Sequence, residues 1–349
     1  MTATTMPGSS SATAGLLGRA RWIHSASVDT AMAFLWVPFA LLGVLVDGQH
    51  LPATIQAILL LSFIHQPITA ALVYGDQAQF SLARRIFSLS PLIFIIAVLA
   101  LRHYSFATLA VIAGLWNAEH TLMQRYGITR IYGRKVADDH GRVEKLMLFS
   151  WLALALLWTA ADRATPGRIE AAGLRDHNRE GIDVLTRFRT PALILVPIAA
   201  TASLVLLARW IRAERSHAGN PAKWIYVAST GALFVTMFLN PIAGFMGYVG
   251  SHAVEYFVIV GRSVGPRYTP ETVTAQPSPI GRVIAAPYGR VKFFVGYALA
   301  MGLLIWALAS ISSLAVHAAV IFTLGGMHVF YDGFIWKLRR PVVAQSLGI

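Results

Sequence analysis

The stretch Pro52–Tyr74, PATIQAILLLSFIHQPITAALVY, runs for 23 residues without one Asp, Glu, Lys or Arg. A helix rises 1.5 Å per residue, so about 20 apolar residues cross the roughly 30 Å hydrocarbon core of a bilayer. The run therefore predicts a membrane-spanning helix. Composition extends this reading to the whole chain of 349 residues, which is 56% hydrophobic and 13% charged, with a mean hydropathy of +0.59. Soluble domains carry about 25% charged residues, so this chain lacks the polar surface a water-soluble domain needs. Its wealth of Leu, Ile, Val and Phe also excludes global disorder.

Similar apolar runs predict an all-α polytopic bundle of about ten transmembrane helices. They lie near Thr30–Val46, Pro52–Tyr74, Ile86–Leu101, Tyr104–Tyr126, Glu144–Ala161, Pro191–Trp210, Lys223–Leu239, Pro241–Val260, Val291–Ala309 and Leu314–Trp336. The weakest separations fall at Asn240–Pro241 and Ser310–Ser313, where a turn competes with one kinked helix. Charge decides between them. With both termini cytoplasmic, ten spans place 22 of the 29 Lys and Arg on the inner side, as positively charged loops prefer. The outer side receives Arg102 and six arginines of one long loop that also holds five acids. Merging either weak pair would reverse every later loop and spoil this bias.

Residues 1–22 are rich in Ser, Thr, Ala and Gly and read as a flexible cytoplasmic tail, leaving 23–349 as a single transmembrane domain. The outer loop 162–190 has mixed charge and some helical spacing. The inner loop 261–290 contains Pro266, Pro270, Pro277, Pro279 and Pro287 and is expected to be irregular. The net charge of +13 is assigned to membrane-surface loops rather than to nucleic acid, and the bias suggests a bacterial plasma (inner) membrane. There is no cysteine, which excludes disulfides, thiolate metal sites, iron–sulfur clusters and cysteine nucleophiles.

Of 16 acidic residues, three sit well inside predicted spans: Glu119, Glu255 and Asp332. A carboxylate at mid-bilayer costs about 2.5–3.5 kcal/mol even on insertion scales, so each demands a partner or a function. Each has a histidine nearby in sequence: His120, His252 and His328 respectively, while His65 lies in the run quoted above. Residues three or four apart share a helix face, which pairs His252 with Glu255, His328 with Asp332 and His120 with Gln124. Counted from the charged residues at the ends of their helices, His65, His252 and His328 reach a common depth of about 14–17 Å. His120 joins them if its helix continues past Tyr126 to about Arg130. Asp29 is a candidate cap for the first helix.

Neutral imidazole and carboxylate together form a ligand set for iron, manganese or zinc, and a cation would neutralise the buried acids. The expected ligands are His65, His120, His252, His328, Glu119, Glu255 and Asp332. Gln124, Asp76, Tyr256 and Tyr331 are expected to support them. Four imidazoles with two or three carboxylates suit two ions, with iron first and zinc or manganese as alternatives; haem would leave the acids unexplained. This scatter of single histidines resembles the bacterial carotenoid-cleaving membrane oxygenases. In ligand chemistry it is similar to the membrane-bound, histidine-rich non-haem di-iron oxygenases and desaturases, whose paired-histidine boxes are absent here. The resemblance implies an oxidoreductase acting on a lipid-soluble substrate, with an electron-donor protein on the cytoplasmic side. Two other classes stay open: a proton- or cation-coupled transporter using the same groups, and a non-catalytic membrane scaffold.

Overall fold

In hydrocarbon, a backbone with no water to bond must satisfy itself, and the helix does so within one segment. The computed structural model describes residues 21–172, 175–216, 219–275 and 278–349, and among them all regular structure is helical. The helices are α1 (Ala26–Ala33), α2 (Trp36–Leu45), α3 (Leu51–His65), α4 (Pro67–Tyr74), α5 (Gln77–Ser81) and α6 (Arg84–Tyr104). Then follow α7 (Phe106–Arg134), α8 (Gly141–Ala161), α9 (Thr165–Ala171), α10 (Arg175–Arg215), α11 (Pro221–Leu239) and α12 (Pro241–Arg267). The last five are α13 (Pro270–Ala275), α14 (Pro279–Ala285), α15 (Gly289–Ala309), α16 (Leu314–Ile335) and α17 (Pro341–Ser346).

Among the described residues, eight helical stretches are long and apolar enough to cross a membrane: α1 with α2, α3 with α4, α6, α8, residues 183–215 of α10, α11, α15 and α16. The chain is thus an integral, multi-pass membrane protein. Two of the ten predicted segments, α7 and α12, have 29 and 27 residues but are too polar to join those eight. Packing explains how they carry polar groups. Helix α12 contacts α2, α3, α7, α11 and α17 and is buried along most of its length. On the periphery, α15 exposes Leu299 (71%) and Trp306 (68%), as a lipid-facing helix should.

Both weak separations are real breaks. Asn240 is extended, and its side chain accepts from the backbone N–H of Ile242 and Ala243, capping α12. Gly244 permits the close return of α12 on α11, since a Cβ there would stand 2.5 Å from Met237 Cα. At the other break, Ser313 caps α16.

Several expectations require correction. The segment 162–190 is largely helical where described, as α9 and the start of α10, which runs 41 residues and packs along α8. Its helical spacing outweighed its charge. The segment 261–290 is not irregular throughout: α12 runs to Arg267, and Pro270 and Pro279 each open a short helix. Proline suits a first turn, where its missing N–H would have no partner anyway. This segment folds back on α4, with Ile280 N–H and Ser278 Oγ donating to the Gly75 carbonyl. Asp29 does not cap the first helix; Ser25 does, and Asp29 accepts from the N–H groups of Ile23 (2.6 Å) and His24 (3.0 Å). The predicted tail lies outside the described residues up to residue 20.

Candidate metal centre

Proline 67 begins the construction of the site. Lacking an N–H, it interrupts the helix between α3 and α4, and Gln66 N–H turns instead to the Phe63 carbonyl (3.1 Å). The break sets His65 at the end of one helix and Thr69 in the first turn of the next, both completely buried. Helix α7 continues through Arg134, well beyond Tyr126, which brings His120 to the depth of the other three histidines. Helices α12 and α16 supply His252 and His328.

The four imidazoles converge. His328 Nε2 lies 3.2 Å from His65 Nε2 and 2.9 Å from His120 Nε2. The His252 ring stands edge-on to those of His65 and His120, with centroids 4.7 and 5.1 Å apart. Asp332 Oδ2 is 3.7 Å from His120 Nε2 and 3.9 Å from His328 Nε2. Within this cluster, two groups of described residues have donor atoms close enough to hold a metal ion: His65, His252 and His328; and His120, His328 and Asp332. With metal–nitrogen bonds of about 2.1 Å, neighbouring ligand nitrogens stand about 3.0–3.4 Å apart, close to the spacing here. Neither ring nitrogen of His252 has a hydrogen-bond partner, although the residue is fully buried. A cation is the partner that would accept such a lone pair.

A polar set behind the cluster orients it. Thr69 Oγ1 donates to Asp332 Oδ1 (3.0 Å) and stands 2.8 Å from His328 Nδ1. With the hydroxyl proton directed at Asp332, His328 carries its proton on Nδ1, and its bare Nε2 faces the cluster. Tyr256 O–H also donates to Asp332 Oδ1 (2.8 Å) and in turn accepts from Trp336 Nε1 (3.0 Å). Thr69 and Trp336 were not among the residues singled out from the sequence. Trp336 looked like a membrane-edge aromatic, and a threonine four residues after a histidine is a common core pattern.

The remaining site candidates lie elsewhere. The Glu255 carboxylate is held by Arg125 Nη2 (3.0 Å), Tyr226 O–H (2.9 Å) and Gln124 Nε2 (3.2 Å), which turns it away from the imidazoles. Gln124 also donates to the His252 carbonyl (3.1 Å), so it ties this pair to the histidine helix. Half-buried Glu119 joins neither metal-capable group of the cluster. Asp76 caps α5 and accepts from Tyr268 O–H (2.6 Å), and Tyr331 O–H bonds Tyr74 (2.6 Å) and Ser90 (2.7 Å).

Charges read from the sequence as inner-loop residues prove to be buried. Arg125 is 1% exposed and Lys223 is 0% exposed. Arg130 Nη1 donates to Asp138 Oδ1 (2.6 Å) and Glu144 Oε2 (2.8 Å); Lys223 Nζ bonds Asp138 Oδ2 (2.7 Å), Glu144 and Glu214. His140 Nδ1 is 3.2 Å from Glu214 Oε1. Asp138, His140 and Glu214 could also group around an ion, but the Lys223 ammonium already occupies the cation's place. Burial pushes the Asp138 carboxyl upward, yet Lys223 and Arg130 outweigh it and hold the group below the usual carboxylate range. One signal was available. A lysine in the first turn of a helix opposes the helix dipole, so Lys223, just after the Asn220–Pro221 cap, called for acidic partners.

No protein-family model, curated protein or solved structure matches the chain.

Proposed function

We propose that His65, His120, His252 and His328, completed by Asp332, hold a non-haem transition-metal ion, and that the protein is a membrane oxidoreductase acting on a lipid-soluble substrate. The observation that carries this reading is the convergence of four buried imidazoles with His252 left wholly unpartnered. The reading takes one ion rather than two, because Arg125 engages Glu255 and Glu119 joins no metal-capable group among the described residues. Iron suits imidazole with carboxylate; zinc and manganese accept the same donors. Haem fits poorly, since rings whose centroids are 4.7 Å apart leave no room for a macrocycle between them.

When bound, iron or manganese would supply a Lewis-acidic, redox-capable centre for oxidising or cleaving a carbon chain, whereas zinc, which has no redox chemistry, would supply a Lewis acid alone. The protein's own residues do the rest. Thr69 keeps the His328 proton on Nδ1, and Tyr256 and Trp336 hold Asp332 in place. Trp116, at the lipid-facing side of α7, stacks on Phe94, which meets Phe330 two residues beyond His328. This aromatic face suits a hydrophobic substrate arriving from the bilayer, and basic residues at the expected cytoplasmic end suit an electron-donor protein. Ten spans with both termini inside, in a bacterial plasma membrane, complete the reading.

Elemental analysis with an optical spectrum of the purified protein tests it. About one equivalent of iron, manganese or zinc is expected, lost in His252→Phe and His328→Phe. Metal-free protein that moves a substrate across vesicles would favour the transporter, for which the buried Arg125–Glu255 pair beside His252 offers a charge relay. Phenylalanine at both positions without any effect would leave a scaffold.

A further inference from the structure

Helices α8, α10 and α11 leave a cleft of about 530 Å³, lined by Trp151, Leu207, Trp210, Trp224, Ala228 and Phe234, among others. Trp210 is 2% exposed, and its Nε1–H has no hydrogen-bond partner. Leaving a buried donor unpaired costs about 1–3 kcal/mol in a protein, and the surrounding hydrocarbon has no acceptor to offer. Trp224 also lines the next opening, where Arg21 and Arg215 lie. Asn220 Nδ2 donates to the Arg21 carbonyl (2.9 Å) and fixes that residue at this mouth. The acid there, Glu214, is committed to Lys223, and neither arginine forms an ion pair among the described residues. Trp210 and Arg215 are five residues apart on one helix, about 7.5 Å along its axis. Trp224 lines both the basic opening and the apolar trough, and Trp210 brings its buried donor to the trough wall, the three features that phosphate, acyl chain and ester carbonyl need.

We propose that this cleft binds one anionic glycerophospholipid, with its phosphate between Arg21 and Arg215. An ester carbonyl accepts from Trp210 Nε1, and an acyl chain lies against Trp151 and Phe234. The site is independent of the histidine cluster, so either reading can fail alone.

The test uses the purified full chain stripped of lipid, followed by thermal melting after adding back phosphatidylglycerol, phosphatidylcholine or inorganic phosphate. Phosphatidylglycerol should raise Tm by about 4 °C or more, as tight binding to the folded state requires, with phosphatidylcholine giving less than half of that. Inorganic phosphate should give no rise. Arg215→Gln and Trp210→Phe should each halve the phosphatidylglycerol shift or do more. Ala228 is exposed in the cleft, so Ala228→Phe fills the trough without disturbing the core and should abolish the shift. Equal shifts from the two lipids, a shift from inorganic phosphate alone, or a full shift in Ala228→Phe would overturn the proposal.

Discussion

His252 is fully buried with two unpartnered nitrogens, an expensive residue if its work is only structural. Its replacement separates the two possibilities by sign. His252→Phe should lower bound metal at least tenfold while leaving the melting temperature of the metal-free protein unchanged or higher, because it removes unsatisfied polar atoms. A variant that kept its metal and melted lower would reverse the reading. Thr69→Val takes away the acceptor on His328 Nδ1 and one donor to Asp332, and metal affinity measured by competition with a chelator should fall about 10–100-fold. Glu119→Gln should leave affinity unchanged. The histidines stood out in sequence because an imidazole in an apolar run is rare and four shared one depth. The fate of the acids did not, since helical spacing gives a face but not the neighbour opposite. Glu255 shares a face with His252, yet Arg125 approaches from α7 and takes it.

Element boundaries decided which charges were visible. Ending the fourth segment at Tyr126 left Arg125 and Arg130 at a membrane edge; the helix runs eight residues further and carries both into the protein. The run that announced the fold reads as one helix over Pro52–Tyr74, and the structure breaks it at Pro67. Buried pairs are strongly destabilised by removing one partner, because the other is left charged and alone. Glu255→Leu should therefore cost about 3–5 kcal/mol in a reversible unfolding measurement. Arg125→Met with Glu255→Leu should recover most of that. The junction of α7 with α8 makes a pH prediction. The Asp138 carboxyl is held below its ordinary value, so the stability it contributes is present above the unfolded-state pKa of about 3.9 and is lost as pH falls through the folded value. Melting curves of wild type and Asp138→Asn should differ at pH 6 and converge toward pH 3; a constant gap would remove the carboxylate from the account.

Across the whole molecule, hydrophobicity made the apolar spans legible in the sequence; the distribution of arginine and lysine argues for the proposed orientation. The packing order of the helices was not legible, because exposed and partly buried spans are both apolar; α6 and the α3–α4 stretch look alike until their neighbours are known. The polar helices sit where other helices surround them, so the site lies inside the bundle rather than on its rim. If α7 and α12 also cross, as proposed, there are ten crossings, and the absence of cysteine makes the count directly measurable. A single cysteine can be placed at Arg163, in the turn between α8 and α9, or at Arg339, just after α16. In intact cells, a membrane-impermeant maleimide should label Arg163→Cys at once and Arg339→Cys only after permeabilisation. Arg134→Cys, at the end of α7, should behave like Arg339→Cys, because the fourth and tenth crossings end on one side. If Arg134→Cys is labelled from outside while Arg339→Cys is not, α7 does not cross. The basic ends would then no longer share the inner surface, and the positive-charge argument for ten spans would fall with them.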